Sequence, residues 1–230
     1  MTTFSPHDDR MTISYQCKMI SPDPQLSTSD FDGVAAAFAI ERQLWLPTLS
    51  QSSEDKQKIA AGLLLCLSLA IGQTIDGVKI ERIDRIYPPG RNQGLIDFKL
   101  VCRLPSELQV DLGICILPFA DPQLVNAACN RLLVYKDFGI DRLCLLRQSE
   151  LMTDFRQLPT CLPKLLSADI GGHFIPLKSS DILAILVVLA VFQHKQQYEL
   201  SSELIRAYLL QMEPLSNSEL VKNILAIAQF

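Results

Sequence analysis

Residues 95–103 read LIDFKLVCR and residues 108–117 read LQVDLGICIL. In the first run, Ile96, Phe98, Leu100 and Cys102 fall on one side of an extended chain. Leu95, Asp97, Lys99, Val101 and Arg103 fall on the other. In the second, Val110, Leu112, Ile114 and Ile116 alternate with Gln109, Asp111, Gly113 and Cys115. A period of two marks half-buried strands. The tight turn Pro105-Ser106-Glu107 joins the two runs into an antiparallel hairpin.

The neighbouring segments extend this hairpin into a sheet. Upstream, Val78–Ile86 reads as a strand closed by Pro88-Pro89-Gly90. Downstream, Asp121-Pro122 opens a helix that continues to Phe138 and stops at Gly139. Ile140–Leu146 is then a continuous apolar run of the buried-strand type. A strand reached through a crossover helix favours parallel pairing. Before the sheet, Ser29-Asp30 caps a helix over Phe31–Leu46 that Pro47 stops, and Ser52-Ser53-Glu54 opens a second helix to about Ile71. Residues 1–30 read as an irregular segment in which Met11–Met19 could add an edge strand. Residues 148–178, with Pro159, Pro163, Gly171-Gly172 and Pro176, read as a link. Residues 179–230 read as a C-terminal helical unit with helices at Ile182–Gln196, Leu200–Leu210 and Ser216–Gln229. The expected fold class is α/β or α+β: a mixed sheet flanked by helices over 31–147, with the helical unit packed on it.

The chain has 230 residues, of which 48% are hydrophobic, enough to bury a sizeable core and to argue against global disorder. A net charge of −4 opposes a protein held to nucleic acid by charge alone. It still allows a nuclease that keeps acids in its site. The seven cysteines, Cys17, Cys66, Cys102, Cys115, Cys129, Cys144 and Cys161, form no CxxC or zinc-like spacing and mostly lie in apolar runs. They are expected as free, packed thiols in a reducing cytoplasm, without disulfides or zinc. The start MTTFSPHDDR lacks a cationic stretch followed by an apolar one, so no secretory signal is expected. The most apolar run, Ile182–Phe192, has 11 residues, too few to span a bilayer, and reads as a buried helix. No membrane association is expected.

Asp97, Lys99 and Asp111 are the candidate chemistry. A turn centred on Pro105-Ser106 places Asp97 opposite positions 112–114 and Lys99 opposite 110–112, on one face of two adjacent strands. Two such carboxylates repel unless a cation lies between them. Mg²⁺ or Mn²⁺ held by Asp97 and Asp111 could polarise a phosphoryl oxygen and activate water, and Lys99 could stabilise the charge that develops on phosphorus. The same residues also fit a solvated sheet face carrying an ordinary ion pair. Both readings stand on the sequence.

The order helix, three meandering strands, helix, strand resembles the restriction-endonuclease-like fold of the PD-(D/E)XK nuclease superfamily. The resemblance covers about residues 31–147. It implies an acid on the second core strand, matched by Asp97, and a (D/E)XK triplet on the third, matched in its acid by Asp111. Gly113 stands where the lysine belongs, and Lys99 would supply the amine from the neighbouring strand. A second register takes Asp84 as the first acid and Asp97-Phe98-Lys99 as a complete DXK triplet. Glu41 on the first helix matches the glutamate that some members add. The implied function is a nuclease-like protein handling DNA, active as a Mg²⁺-dependent endonuclease or inactive as a subunit of a larger assembly. Protein partners and DNA are the expected contacts. The competing reading is a protein–protein adaptor without nucleic-acid chemistry.

Other features carry less. Gly90–Gly94 could touch a phosphate but suffices as a turn. Arg131, Arg142 and Arg147 read as exposed charges at element ends. His173 follows two glycines but has no nucleophile motif beside it, and GxSxG, GxxxxGK[ST] and GxGxxG are absent. The C-terminal helices offer only Arg206 on one and Asn217, Lys222 and Asn223 on the next, a poor set for a DNA-reading helix, and read as packing or protein-docking elements.

Overall fold

The computed structural model describes residues 31–49, 55–86, 94–117, 121–149, 161–211 and 217–230. The expected Met11–Met19 strand and most of the Gly90–Gly94 loop lie outside these residues. The described chain is a mixed α/β structure built on a six-stranded sheet in the order β1-β2-β3-β4-β5-β6. The strands are β1 (Thr74–Ile75), β2 (Val78–Asp84), β3 (Phe98–Arg103), β4 (Gln109–Ile116), β5 (Arg142–Gln148) and β6 (Gly172–Leu177). The first four form an antiparallel meander, and β4, β5 and β6 run parallel.

The hairpin register differs by one to three residues from the one expected. Lys99 pairs with Gly113 and Val101 with Asp111. The cause is the turn. The Leu104 amide donates to the Leu108 carbonyl, and Glu107 takes a left-handed φ of 63°. Pro105, Ser106 and Glu107 therefore make a three-residue loop, which moves the centre of the turn onto Ser106.

Helices cover both faces. Helix α1 is Asp32–Trp45 and α2 is Lys56–Leu69. Asp55 caps α2, its carboxylate accepting from the Lys58 amide at 3.2 Å, so this helix starts later than the Ser52-Ser53-Glu54 signal suggested. Helix α3 is Pro122–Leu132, α4 is Cys161–Leu165, and α5, α6 and α7 are Ser179–Gln193, Ser202–Gln211 and Glu219–Ala226. One face of the sheet packs Phe98, Leu100, Leu112, Ile114, Cys144 and Leu146 against Leu63 and Leu67 of α2, Leu186 of α5, and Leu220, Ile224, Ile227 and Ala228 from the last helical segment. The other face packs Cys115, Leu143 and Leu145 against α3 and α4, with Tyr135 and Ile140 completing the cluster. A third cluster joins α1 and α6 to the outer side of α2 and α5.

Helix α5 therefore has apolar neighbours on both sides, and this explains its unbroken apolar run. No described helix is long and apolar enough to cross a membrane.

Residues 161–177 differ from the expected link. They form α4 and then β6, which pairs in parallel with β5 from Leu143↔Gly172 to Gln148↔Leu177. Pro176 hid this strand from sequence reading, and an edge strand tolerates proline. The register also makes Arg147 part of β5, opposite Pro176. It is buried rather than exposed as its place near a strand end suggested. His173 lies in β6, its ring stacked 5.1 Å from that of Phe230.

Candidate functional site

Lys99 and Asp111 meet across the hairpin. The Lys99 ammonium lies 2.6 Å from Asp111 Oδ2, and each side chain is 17% exposed. Gln109 Nε2 donates to the other carboxylate oxygen at 3.2 Å. The Asp111 amide donates to Asp141 Oδ2, and the Asp141 amide donates back to the Asp111 carbonyl, both at 2.8 Å. Asp111 is thus held at the start of β4 by four bonds from three residues, and both its carboxylate oxygens have donors.

Asp97 sits just before β3, at the end of the ladder away from the turn. Its amide donates to the Ile114 carbonyl, and its Oδ2 accepts from the Ile116 amide, both at 2.8 Å. The side chain thereby takes an acceptor position in the strand ladder. Its Oδ1 lies 3.2 Å from the Lys56 ammonium, which also donates to the Gly94 carbonyl at 2.9 Å. Lys56 and Asp97 together tie the first turn of α2 to the entry of β3. Burial pushes the Asp97 carboxyl up to about 6, and the opposing pull of Lys56 and of the Ile116 amide does not offset it.

The two acids share a sheet face but not a site. Asp111 pairs with Val101, four residues along β3 from Asp97, an offset of about 13 Å at strand rise. Divalent ions need several oxygens converging at about 2–2.6 Å. Among the described residues, no three His, Cys, Asp or Glu side chains converge to hold a metal. Asp97 and Asp111 do not fit a shared Mg²⁺ or Mn²⁺, and the expectation that both ligate one ion is corrected by the register.

The β4 positions nearest Asp97 on that face are Gly113 and Cys115. A Cβ on Gly113 would lie 2.8 Å from Ile140 Cδ1 and 3.1 Å from its Cγ2. Ile140 is buried, so a lysine at 113 would have to displace a core side chain. In the second register, Asp84 pairs directly with Lys99, which makes Asp84 and Asp97 diagonal neighbours. Their carboxylates have separate partners, however: Asp84 lies 3.2 Å from Arg82 Nε, and Asp97 is bound to Ile116 and Lys56.

Glu41 is elsewhere. It is buried on α1, on the far side of the helical layer from the acids, and its Oε1 lies 2.6 Å from His194 Nδ1 and 2.9 Å from the Tyr198 hydroxyl, which donates to it. The contact pins α1 to the C-terminal end of α5. The match of Glu41 to a nuclease glutamate is therefore not supported by its position. Lys56, His194 and Tyr198 were not found from the sequence. Each partner is remote in the chain, Lys56 lying 41 positions from Asp97, and no local pattern links them.

No family model, curated protein or solved structure matches this chain. Its chemistry has to be read from its own residues. One consequence is measurable. The folded Asp97 binds its proton more tightly than an ordinary Asp at 3.8. Its contribution to stability is complete below about pH 4 and is lost as the pH rises through 6, a change of roughly 3 kcal/mol. Asp97→Asn keeps an acceptor for the Ile116 amide and is expected to flatten this slope in urea melts between pH 4 and 7. A slope that persists in the variant would assign the titration to another group.

Proposed function

We propose that this chain is a non-catalytic, nuclease-like subunit that works by docking a protein partner. The observation that carries the reading is the separation of the acids. Asp97 lies at one end of the β3–β4 ladder and Asp111 opposite Val101, four residues further along, each closed onto its own lysine, and the lysine position of the third core strand is packed under Ile140. The run α2, β2, β3, β4, α3, β5, with β5 parallel to β4, supports the nuclease-like resemblance at the level of topology.

The outer side of α1 supports the docking role. Ile40 and Leu44, one helical turn apart, are 46% and 61% exposed, and Leu46 just beyond is 60% exposed. Contiguous exposed apolar side chains of this kind mark interaction surfaces. Ile40→Asp combined with Leu44→Asp is expected to abolish crosslinking of α1 to its partner in the source cell while leaving the melting curve nearly unchanged.

The catalytic alternative is tested directly. Plasmid and single-stranded DNA incubated with the full chain in Mg²⁺ or Mn²⁺ are expected to stay intact, and calorimetric titration with Mn²⁺ is expected to show no binding heat. Mn²⁺-dependent cleavage that disappears in Asp84→Asn or Asp97→Asn would overturn the proposal in favour of DNA hydrolysis.

A further inference from the structure

Helix α1 turns Val34, Ala37 and Glu41 inward. Its outer side carries Asp32, Ala36, Ala39, Ile40 and Gln43, all exposed, at spacings of three and four residues. The small side chains of Ala36 and Ala39 sit in the middle of that side, and the exposed Ile40 and Leu44 run along one flank. Small residues at a helix crossing let a second helix approach closely. The charges sit towards the two ends. Asp32 lies in the first turn and Arg42 in the last, both exposed, and neither makes an ion pair among the described residues. An acid and a base on one exposed side, ten residues apart, complement the same pair read in the opposite direction. A helix that carries both halves of its own complement fits a second copy of itself better than an unrelated surface.

Resting on the docking role proposed above, we infer that the partner of α1 is a second copy of this chain, bound through an antiparallel α1–α1 contact about a two-fold axis. With the axis level with Ala37, Asp32 of each copy lies level with Arg42 of the other, because the two residues stand five positions either side of it. Ile40 then falls beside Ala36 of the opposite copy, whose methyl group leaves room for it. The ion pairs are exposed and add little affinity, but they fix the direction and register of the helices. The apolar flank supplies the attraction. One helix pair buries less than the roughly 1,200–2,000 Å² of a standard interface, so the dimer is weak, with a Kd in the micromolar range.

The experiment is sedimentation equilibrium of the full chain over about 1–200 µM, concentrations that bracket such a Kd. Wild type is expected to shift from monomer towards dimer, and Ile40→Asp combined with Leu44→Asp to stay monomeric. Asp32→Arg sets arginine against arginine at both ends, and Arg42→Asp sets aspartate against aspartate. Each alone is expected to weaken self-association by about tenfold or more. An equimolar mixture of the two variants is expected to regain the wild-type affinity as a heterodimer, since each copy then meets the opposite charge at both ends. That recovery also shows that both variants are folded. A dimer unaffected by either charge reversal would overturn the α1 pairing. If a variant fails to fold, wild type alone decides. A wild-type chain that stays monomeric to the top of the range would overturn the inference, whether α1 is then covered by residues 1–30 of its own chain or by a different protein. The docking role itself would survive that result if α1 still crosslinks to a different protein in the source cell.

Discussion

Gly62→Ala is expected to destabilise the fold by up to about 2 kcal/mol net, although alanine is the better helix former. Gly62 lies in α2 where that helix crosses α5. A Cβ built there would come within 2.5 Å of Ile185 Cγ2 and 2.7 Å of the Ile185 carbonyl oxygen. A side chain can rotate away from a clash, but a helix backbone cannot, so α2 and α5 must separate. Overpacking of this kind costs about 1–3 kcal/mol and sometimes more, against a propensity gain of about 1 kcal/mol. The separation would also loosen Leu63 and Leu186, which meet in the main core. Urea denaturation should show a lower midpoint with an unchanged slope. The internal control is Gly33→Ala in α1, where the nearest atom to a new Cβ is Leu200 Cδ2 at 3.7 Å. That variant should be neutral or stabilising by about 0.5–1 kcal/mol. Equal behaviour of the two variants would contradict the close crossing.

Glu41→Ala is expected to cost about 2–3 kcal/mol, or about 5–10 °C in Tm for a chain of this size. The carboxylate is 2% exposed and accepts from two groups on the far side of the helical layer. Removing it leaves a hole beside α5 and strips His194 Nδ1 and the Tyr198 hydroxyl of their common acceptor. Both donors are half-buried and regain some water, which keeps the loss below that of a fully buried pair. Glu41→Gln retains an acceptor oxygen and should lose about half as much. The Tyr198 phenol, held above its ordinary value by burial and then by Glu41, should titrate at lower pH in Glu41→Gln. A Glu41→Ala chain that melts within 1 °C of wild type would show that this contact does not hold α1 in place.

Much of the fold was legible because local signals agreed with tertiary demand. Alternation over 98–103 and 109–116 and the Asp121-Pro122 start of α3 each state their own structure, whereas α3 ends at Leu132, short of the expected Phe138, and Gly139 caps a separate short helical turn over Tyr135–Phe138. Two features of the sheet were not legible. Strand β6 carries Gly172 and Pro176 and has no clean alternation, since its burial is set by α4 on one side and the last helical segment on the other. The hairpin register turned on the backbone of a single residue, Glu107, whose left-handed φ nothing in its side chain requires.

The candidate site was legible only as a face. The sequence puts Asp97, Lys99 and Asp111 on one side of the sheet, and the strand pairing adds Asp84 to it. Sequence spacing could not say which lysine each acid would take, because Lys56 enters from another element. The offset of one to three residues in register decided the rest, since each residue of slip moves an opposing carboxylate by about 3.3 Å.

The last helical segment has a consequence for the order in which this chain can complete its structure. Ile227 and Ala228 pack in the main core with Ile114 and Cys144, and Gln229 Nε2 donates to the carbonyl of Asp76 across 153 positions of sequence. Helix α2 precedes the meander and can cover part of its apolar face early, but the part that packs on Leu220, Ile224, Ile227 and Ala228 stays uncovered until those residues arrive. Until then a chain emerging from the ribosome carries that part of the face open, the circumstance in which association with a chaperone competes with aggregation.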